Sequence, residues 1–278
     1  VEFVYSADFF AHEINGGAEL NDMEVIKLLH IQGEKVSAVH SEELTPEYIN
    51  ENKDSNYIVS NFIKLSEESK RALLDCKYVI YEHDHKYLKS RNPGQWKDLK
   101  APAEEIVNLE FYKSAAAILC QSGFHAGVIK KNLNLDNIIN LSGNLWSESA
   151  LDLLEIMSEK EKAPKCSIMD SLIPSKNTGL AIKYCKAKKI NYQLVKSASY
   201  QEFLTALTAN ESLAFFPSTP ETLSRIVVEA RMAGMKVYTN SLVGASHEEW
   251  FSLKGKPLIE LMRARRTEIA DKIRRVFE

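Results

Sequence analysis

A chain of 278 residues with a formal net charge of −3, 45% hydrophobic and 26% charged residues, has the make-up of a globular protein and length enough for two domains. That balance excludes a global attraction to nucleic acid or to an anionic membrane. No apolar run reaches the ~18–20 residues of a membrane span, the start VEFVYSADFF does not read as a secretory leader, and the scattered Cys76, Cys120, Cys166 and Cys185 contain no Cys-x-x-Cys pair, so a reduced, cytoplasmic protein is expected.

Strand-like runs alternate with helical patterns along the chain. Val1–Tyr5, Lys35–His40, Tyr57–Ser60, Lys77–Tyr81, Ala116–Gln121 and Asn137–Leu141 read as strands. Helices are expected at Glu19–Gln32, stopped by Gly33, and near Thr45–Glu51, Glu67–Asp75, Pro102–Ser114 and His125–Leu133. Around Gly143 the rhythm breaks for one helical segment, Ser147–Lys162. It restarts with strands at Lys165–Met169, Tyr192–Val195, Leu213–Phe216 and Lys236–Thr239. Between them fall helices at Lys176–Lys188, Tyr200–Leu207 and Glu221–Ala233, and Pro257–Phe277 is a closing helix. This is the pattern of two Rossmann-like α/β domains, 1–143 and 164–256, with 144–163 as a linking helix and 257–278 as a terminal one. In such sheets ligands bind at the carboxyl ends of strands.

The most informative stretch is PSTPETLSRIVVEARMAGMKVYT at residues 217–239, where Glu221 and Glu229 are separated by seven residues. In a continuous helix that spacing corresponds to a rise of ~12 Å and a net turn of only ~80°, so both carboxylates could face one elongated polar ligand. Ser218 and Glu221 have capping-box spacing, and Pro220 suits a first helical turn. The amides of Thr222, Leu223 and Ser224 would then meet an anion at a helix N-terminus. The same stretch also suits a plain amphipathic helix with solvated glutamates.

Three further constellations follow strand candidates. Asn15-Gly16-Gly17-Ala18-Glu19 holds the chain's only Gly-Gly pair, whose backbone could closely approach a ligand at a helix start. It matches neither a dinucleotide fingerprint nor a P-loop. Tyr81-Glu82-His83-Asp84-His85 groups an acid with two imidazoles, and in extended chain His83 and His85 would point the same way. Lys176, in Asp170-Ser171-Leu172-Ile173-Pro174-Ser175-Lys176-Asn177, could reach a phosphate from the first turn of its helix. No metal site is expected: the remaining histidines form no cluster, and no Asp-x-Asp clamp occurs.

Together these motifs resemble the retaining glycosyltransferases of the GT-B fold, specifically family 4. The likeness is strongest over residues 211–240, where PETLSRIVVEARMAGMKV resembles that family's donor-binding Glu-x7-Glu segment. The resemblance implies two Rossmann-like domains facing across a cleft and transfer of a sugar from a nucleotide diphosphate donor, UDP- or GDP-linked, with no cofactor. It implies that Glu229 binds the ribose hydroxyls. Glu221 would hold the donor sugar, with Thr222, Leu223 and Ser224 near sugar and diphosphate. Lys176 would contact the diphosphate, and Gly16 and Gly17 would approach it or the acceptor. His83 would lie beside the reacting carbon, with His85 as the alternative. The family's arginine five residues before the lysine is replaced here by Ser171. That departure leaves open a nucleotide-sugar-binding module with impaired catalysis. The acceptor, a glycan, a lipid or another molecule, is not specified. The basic run Arg263-Ala264-Arg265-Arg266 would suit an anionic acceptor or peripheral membrane contact, although interleaved Glu260, Glu268 and Asp271 favour a solvated helix face.

Overall fold

The structure is a computed structural model and describes residues 2–14, 16–196 and 199–278. Val1, expected in the first strand, and Asn15 of the glycine loop lie outside the described residues. The chain divides into two compact units, Val1–Leu145 with Arg265–Glu278, and Trp146–Ala264.

In the first unit β1 (Phe3–Ala7), α1 (Gly17–Ile31), β2 (Val36–His40), α2 (Pro46–Glu51), β3 (Asn56–Val59), α3 (Glu67–Leu73) and β4 (Lys77–Glu82) follow one another. After a long excursion come α4 (Leu109–Ser114), β5 (Ala117–Cys120), α5 (Gly123–Leu133) and β6 (Ile138–Asn140). The strands form a parallel six-stranded sheet in the order β2-β1-β3-β4-β5-β6. Its two faces are read from alternate residues, because strand side chains alternate sides. Val4, Tyr57, Val59, Tyr78, Ile80 and Ile118 bury one face, with Leu73 of α3 and Ile129 of α5. Tyr5, Ile58, Val79, Tyr81 and Leu119 bury the other, with Val25 and Leu29 of α1 and Ile269 and Ile273.

The second unit contains α6 (Glu148–Glu159), β7 (Ala163–Met169), α7 (Thr178–Ala187), β8 (Tyr192–Val195), α8 (Tyr200–Thr208), β9 (Asn210–Ala214), α9 (Arg225–Met232) and β10 (Lys236–Tyr238). Its parallel sheet has the order β10-β9-β7-β8. The closing helix α10 (Lys256–Phe277) begins in this unit, and its part from Arg265 onward belongs to the first. Segment 144–163 supplies α6, whose Ala150, Leu151 and Leu154 lie in the core with Val227, Val228 and Met262.

Helix starts follow local chemistry. Thr45, Ser66, Ser122, Ser147 and Ser199 each accept a hydrogen bond from an amide three residues on, satisfying a donor the helix leaves unpaired. The expected helix Pro102–Ser114 is confined to Leu109–Ser114, because Asn108 adopts a left-handed backbone (φ 56°) that cannot propagate one. The expected helix at Lys176 starts two residues later, since Asn177 is also left-handed (φ 53°).

If α6 is part of the core of its unit, Leu154→Ala leaves a cavity and destabilises that unit by about 2–5 kcal/mol. Urea denaturation followed by tryptophan fluorescence measures this; an unchanged midpoint would contradict the packing.

Candidate functional site

In both sheets the chain first builds outward on one side of its opening strand and then crosses to the other. The reversal falls between β1 and β3 in the first unit and between β7 and β9 in the second. The loops leaving the carboxyl ends of two such strands are where open parallel sheets bind ligands. In the second unit these are residues 170–177 and 215–224, and they carry Lys176 and Glu221.

The two loops are tied together. Ser218 donates its amide to the Ser175 carbonyl at 2.9 Å. Lys176 Nζ lies 2.8 Å from Glu221 Oε1, with the side chains 28% and 16% exposed, so both remain within reach of solvent. Lys176 belongs to a 3₁₀ turn, Pro174–Lys176, rather than to the first turn of α7. Glu221 is likewise outside a helix. Its amide donates to Leu242 O (2.8 Å), and its carbonyl accepts from Gly244 N (3.0 Å), forming a parallel bridge with Val243. Those bonds occupy the groups a helix would need. Ser224, at φ 79°, then makes the turn into α9. The Ser218–Glu221 capping box is therefore not formed, and the helical-wheel relation between Glu221 and Glu229 does not apply. The first helical amides are those of Arg225 and Ile226, not of Thr222, Leu223 and Ser224. Leu223 packs into the core. Ser224 Oγ is buried with no hydrogen-bond partner among the described residues.

Glu229 points into the unit and is 2% exposed. A carboxylate removed from water needs charged or hydrogen-bonding partners. Its Oε1 accepts from Trp146 Nε1 at 2.9 Å and from Tyr200 OH at 2.6 Å, and Arg225 Nε lies 3.6 Å away. The Arg225 guanidinium stacks 4.6 Å from the centroid of the Trp146 ring. Burial, and secondarily the Glu229 charge, raises the Tyr200 phenol well above its ordinary range, so it stays a donor. Trp146 and Tyr200 carry no signal in the sequence that would tie them to Glu229; Arg225, at i,i+4 spacing, does.

In the first unit Gly16 caps α1 and Gly17 is its first residue. The Glu19 carboxylate folds back against Gly16, covering the helix N-terminus. Burial raises the Glu19 carboxyl above the usual glutamate value. Both ring nitrogens of His83 are engaged: Nε2 donates to Asp22 Oδ1 (2.6 Å), and Nδ1 accepts from Gln121 Nε2 (2.7 Å). Asp22, fully buried, also accepts from Tyr5 OH (2.7 Å) and Ser60 Oγ (2.6 Å). With both nitrogens engaged, the ring is held in one tautomer. The expectation that His83 and His85 point the same way fails because β4 ends at Glu82 and a bend follows. His85 instead contacts Tyr87 OH (3.0 Å) and packs edge-on to His125, whose imidazole is kept neutral by burial and by His85. Among the described residues no group of three His, Cys, Asp or Glu could hold a metal ion, and no helix is long and apolar enough to cross a membrane.

This is an α/β fold with two parallel sheets of the kind seen in GT-B glycosyltransferases. Its structural neighbours include HepE from Anabaena, solved with UDP and glucose (TM-score 0.52, 15% identity, covering 98% of this chain and 90% of that one). A glycosyltransferase from Rickettsia africae is similar over 99% of this chain and 93% of its own (TM-score 0.54, 10% identity). So is a Methanocaldococcus jannaschii UDP-GlcNAc 2-epimerase solved with UDP-GlcNAc and UDP, over 97% and 92% (TM-score 0.51, 10% identity). No family model and no curated protein sequence matches the chain.

Tyr200→Phe removes one donor to the buried Glu229 with little change in volume and should cost about 1.5–3 kcal/mol, read by chemical denaturation. Glu19 provides a pH test. Its raised folded-state value means the native state holds the proton more tightly, so its contribution is full below the ordinary glutamate range and is lost as pH rises through the folded value. Glu19→Gln should therefore raise the melting temperature at pH 7 relative to wild type and lose that advantage at pH 4; an equal difference at both values would refute the assignment.

Proposed function

We propose that the protein is a glycosyltransferase that moves a sugar from a nucleotide diphosphate donor, UDP- or GDP-linked, to an acceptor hydroxyl. The observation that carries this reading is the meeting of Lys176 and Glu221 at 2.8 Å beside the sheet reversal of the second unit, with Glu229 on the helix after Glu221. The sequence resemblance gives those residues donor-binding roles, and neighbours solved with UDP and glucose or with UDP-GlcNAc and UDP share the fold. Retention of configuration rests on the resemblance alone.

In this reading the bond from the sugar C1 to the diphosphate oxygen breaks, and one from C1 to the acceptor oxygen forms. The acceptor proton leaves with the diphosphate. Lys176 exchanges Glu221 for the departing diphosphate, which frees the Glu221 carboxylate for the sugar hydroxyls. The α9 amides and the Ser224 hydroxyl, which has no partner among the described residues, add donors for the anion. Glu229 accepts O–H and N–H donors in the free protein, the type a ribose diol presents, and partly exposed Tyr200 is the partner a diol would displace. Gly16, Gly17 and His83 serve the acceptor and the reacting sugar, His83 orienting rather than transferring a proton because both nitrogens are engaged.

The second reading, a nucleotide-sugar-binding module with impaired catalysis, is favoured by Ser171. Its hydroxyl accepts from Ile173 N at 3.2 Å within its own loop and supplies no cation.

A thermal-shift panel of UDP-, GDP- and ADP-sugars tests both. A bound donor at 100 times its Kd stabilises the native state by about 2.7 kcal/mol. Lys176→Ala should then lower kcat by about 10²–10³ if the lysine stabilises the leaving diphosphate, read by mass spectrometry of released nucleotide and sugar. Binding without turnover selects the second reading, interconverted sugar nucleotide without nucleotide release selects epimerisation, and no shift with any donor rejects all three.

A further inference from the structure

Between β4 and α4 the first unit makes an excursion, residues 83–108, that contains 3₁₀ turns but no α-helix. Loops of this length inside a compact unit usually have a task of their own. Asp98 and Leu99 are consecutive residues in left-handed backbone (φ 55° and 59°), a conformation uncommon outside glycine and one that tends to persist where a local shape is needed. The shape is fastened rather than loose. Asn132 Nδ2 donates to Leu99 O (2.8 Å), Asn132 Oδ1 accepts from Ala101 N (2.9 Å), and Lys131 Nζ donates to Asp98 O (2.8 Å).

The result is a wide-mouthed cavity of about 600 Å³ whose lining includes Trp96, Lys97, Asp98, Lys100 and Lys131. Three lysines and one aspartate thus share this lining with a half-buried indole. Lys131 and Asn132 lie at the end of α5. That helix runs back from the carboxyl ends of the strands, so Lys131 lies toward their amino ends, away from Gly16 and Gly17 at the start of α1. The cavity is therefore independent of Gly16, Gly17 and His83, and its chemistry is local, since the net charge of −3 provides no global attraction for anions.

We propose that this cavity binds a nucleotide unit, with the base stacked on Trp96 and phosphate held by Lys97, Lys100 and Lys131. A flat indole flanked by cations matches a base with a phosphate on either side, and aromatic stacking beside a basic groove is how single strands are held without sequence preference. The lysines outnumber what a single sugar carboxylate would need, which favours a phosphodiester over an acidic glycan.

The test is fluorescence anisotropy at low salt with a labelled oligothymidylate of about twelve residues, within the span such sites cover. Thymidine monophosphate and polygalacturonate serve as competitors. The oligonucleotide should bind, and Lys97→Glu/Lys100→Glu should weaken it at least about tenfold and flatten the salt dependence by roughly 0.7 per lost phosphate contact. Both lysines are exposed, so an unchanged melting temperature will show that the variant is folded, and Trp96→Phe, which keeps a ring, should weaken binding less than the charge reversal. Competition by the monophosphate at similar concentration identifies free nucleotide as the source; its failure identifies a strand. No binding of either, binding indifferent to the lysine variant, or displacement by polygalacturonate alone would overturn the proposal. Sugar-nucleotide thermal shifts should be the same in the lysine variant, so this proposal and the donor-site reading fail separately.

Discussion

Every strand pairing in both sheets is parallel, and that constraint governs the rest of the architecture. A parallel neighbour can be reached only by a crossover that returns the chain to the same edge. Helices must then cover both faces, and the loops that leave the carboxyl ends collect on one side. The winding reverses between β1 and β3 and between β7 and β9, and such a reversal is where open parallel sheets bind ligands. Lys176 and Glu221, 45 residues apart in sequence, come together because they sit on the loops after the paired strands β7 and β9.

Within the second unit the buried Glu229 carboxylate places a second demand. An unpaired charge in an interior is costly, and removing one partner of a buried charged pair generally costs more than the pair itself contributes. The structure meets the demand from three directions: the start of α6 through Trp146, α8 through Tyr200, and α9 itself through Arg225. A single acid thus helps to fix how three helices are arranged, and it does so at the side of the sheet where the candidate donor residues lie. Asp22 plays a comparable part in the first unit, joining α1 to β1, the end of β3 and the residue after β4 through Tyr5, Ser60 and His83.

The alternation of strand and helix was legible because a buried parallel strand is a short apolar run and a helix has its own period; β8 matches its expected span residue for residue, and most other elements shift by a few. Three late helix starts share a cause. Asn108, Asn177 and Ser224 take left-handed backbone and delay their helices, and no periodicity of apolar residues marks such a turn. Glu221 left the expected helix because its backbone found partners in 242–244. The candidate residues Lys176, Glu221, Glu229 and His83 were singled out from residue type, spacing and position after strands. Their partners could not: Trp146 stands 83 residues from Glu229, and Asp22 stands 61 from His83.

The sequence by itself determined the α/β class, the two-part organisation of its rhythm and the short list of polar residues near strand ends, because each of these is written in local pattern and composition. Only the tertiary structure decided that Glu221 lies on a bridge and pairs with Lys176, that Glu229 is enclosed by an indole and a phenol, and that His83 has both ring nitrogens engaged. It alone also gathered three lysines around Trp96. The physical reason is that hydrogen bonds and ion pairs are made by proximity in space, and proximity between distant segments is set by strand order and crossover, which no local period of the chain encodes.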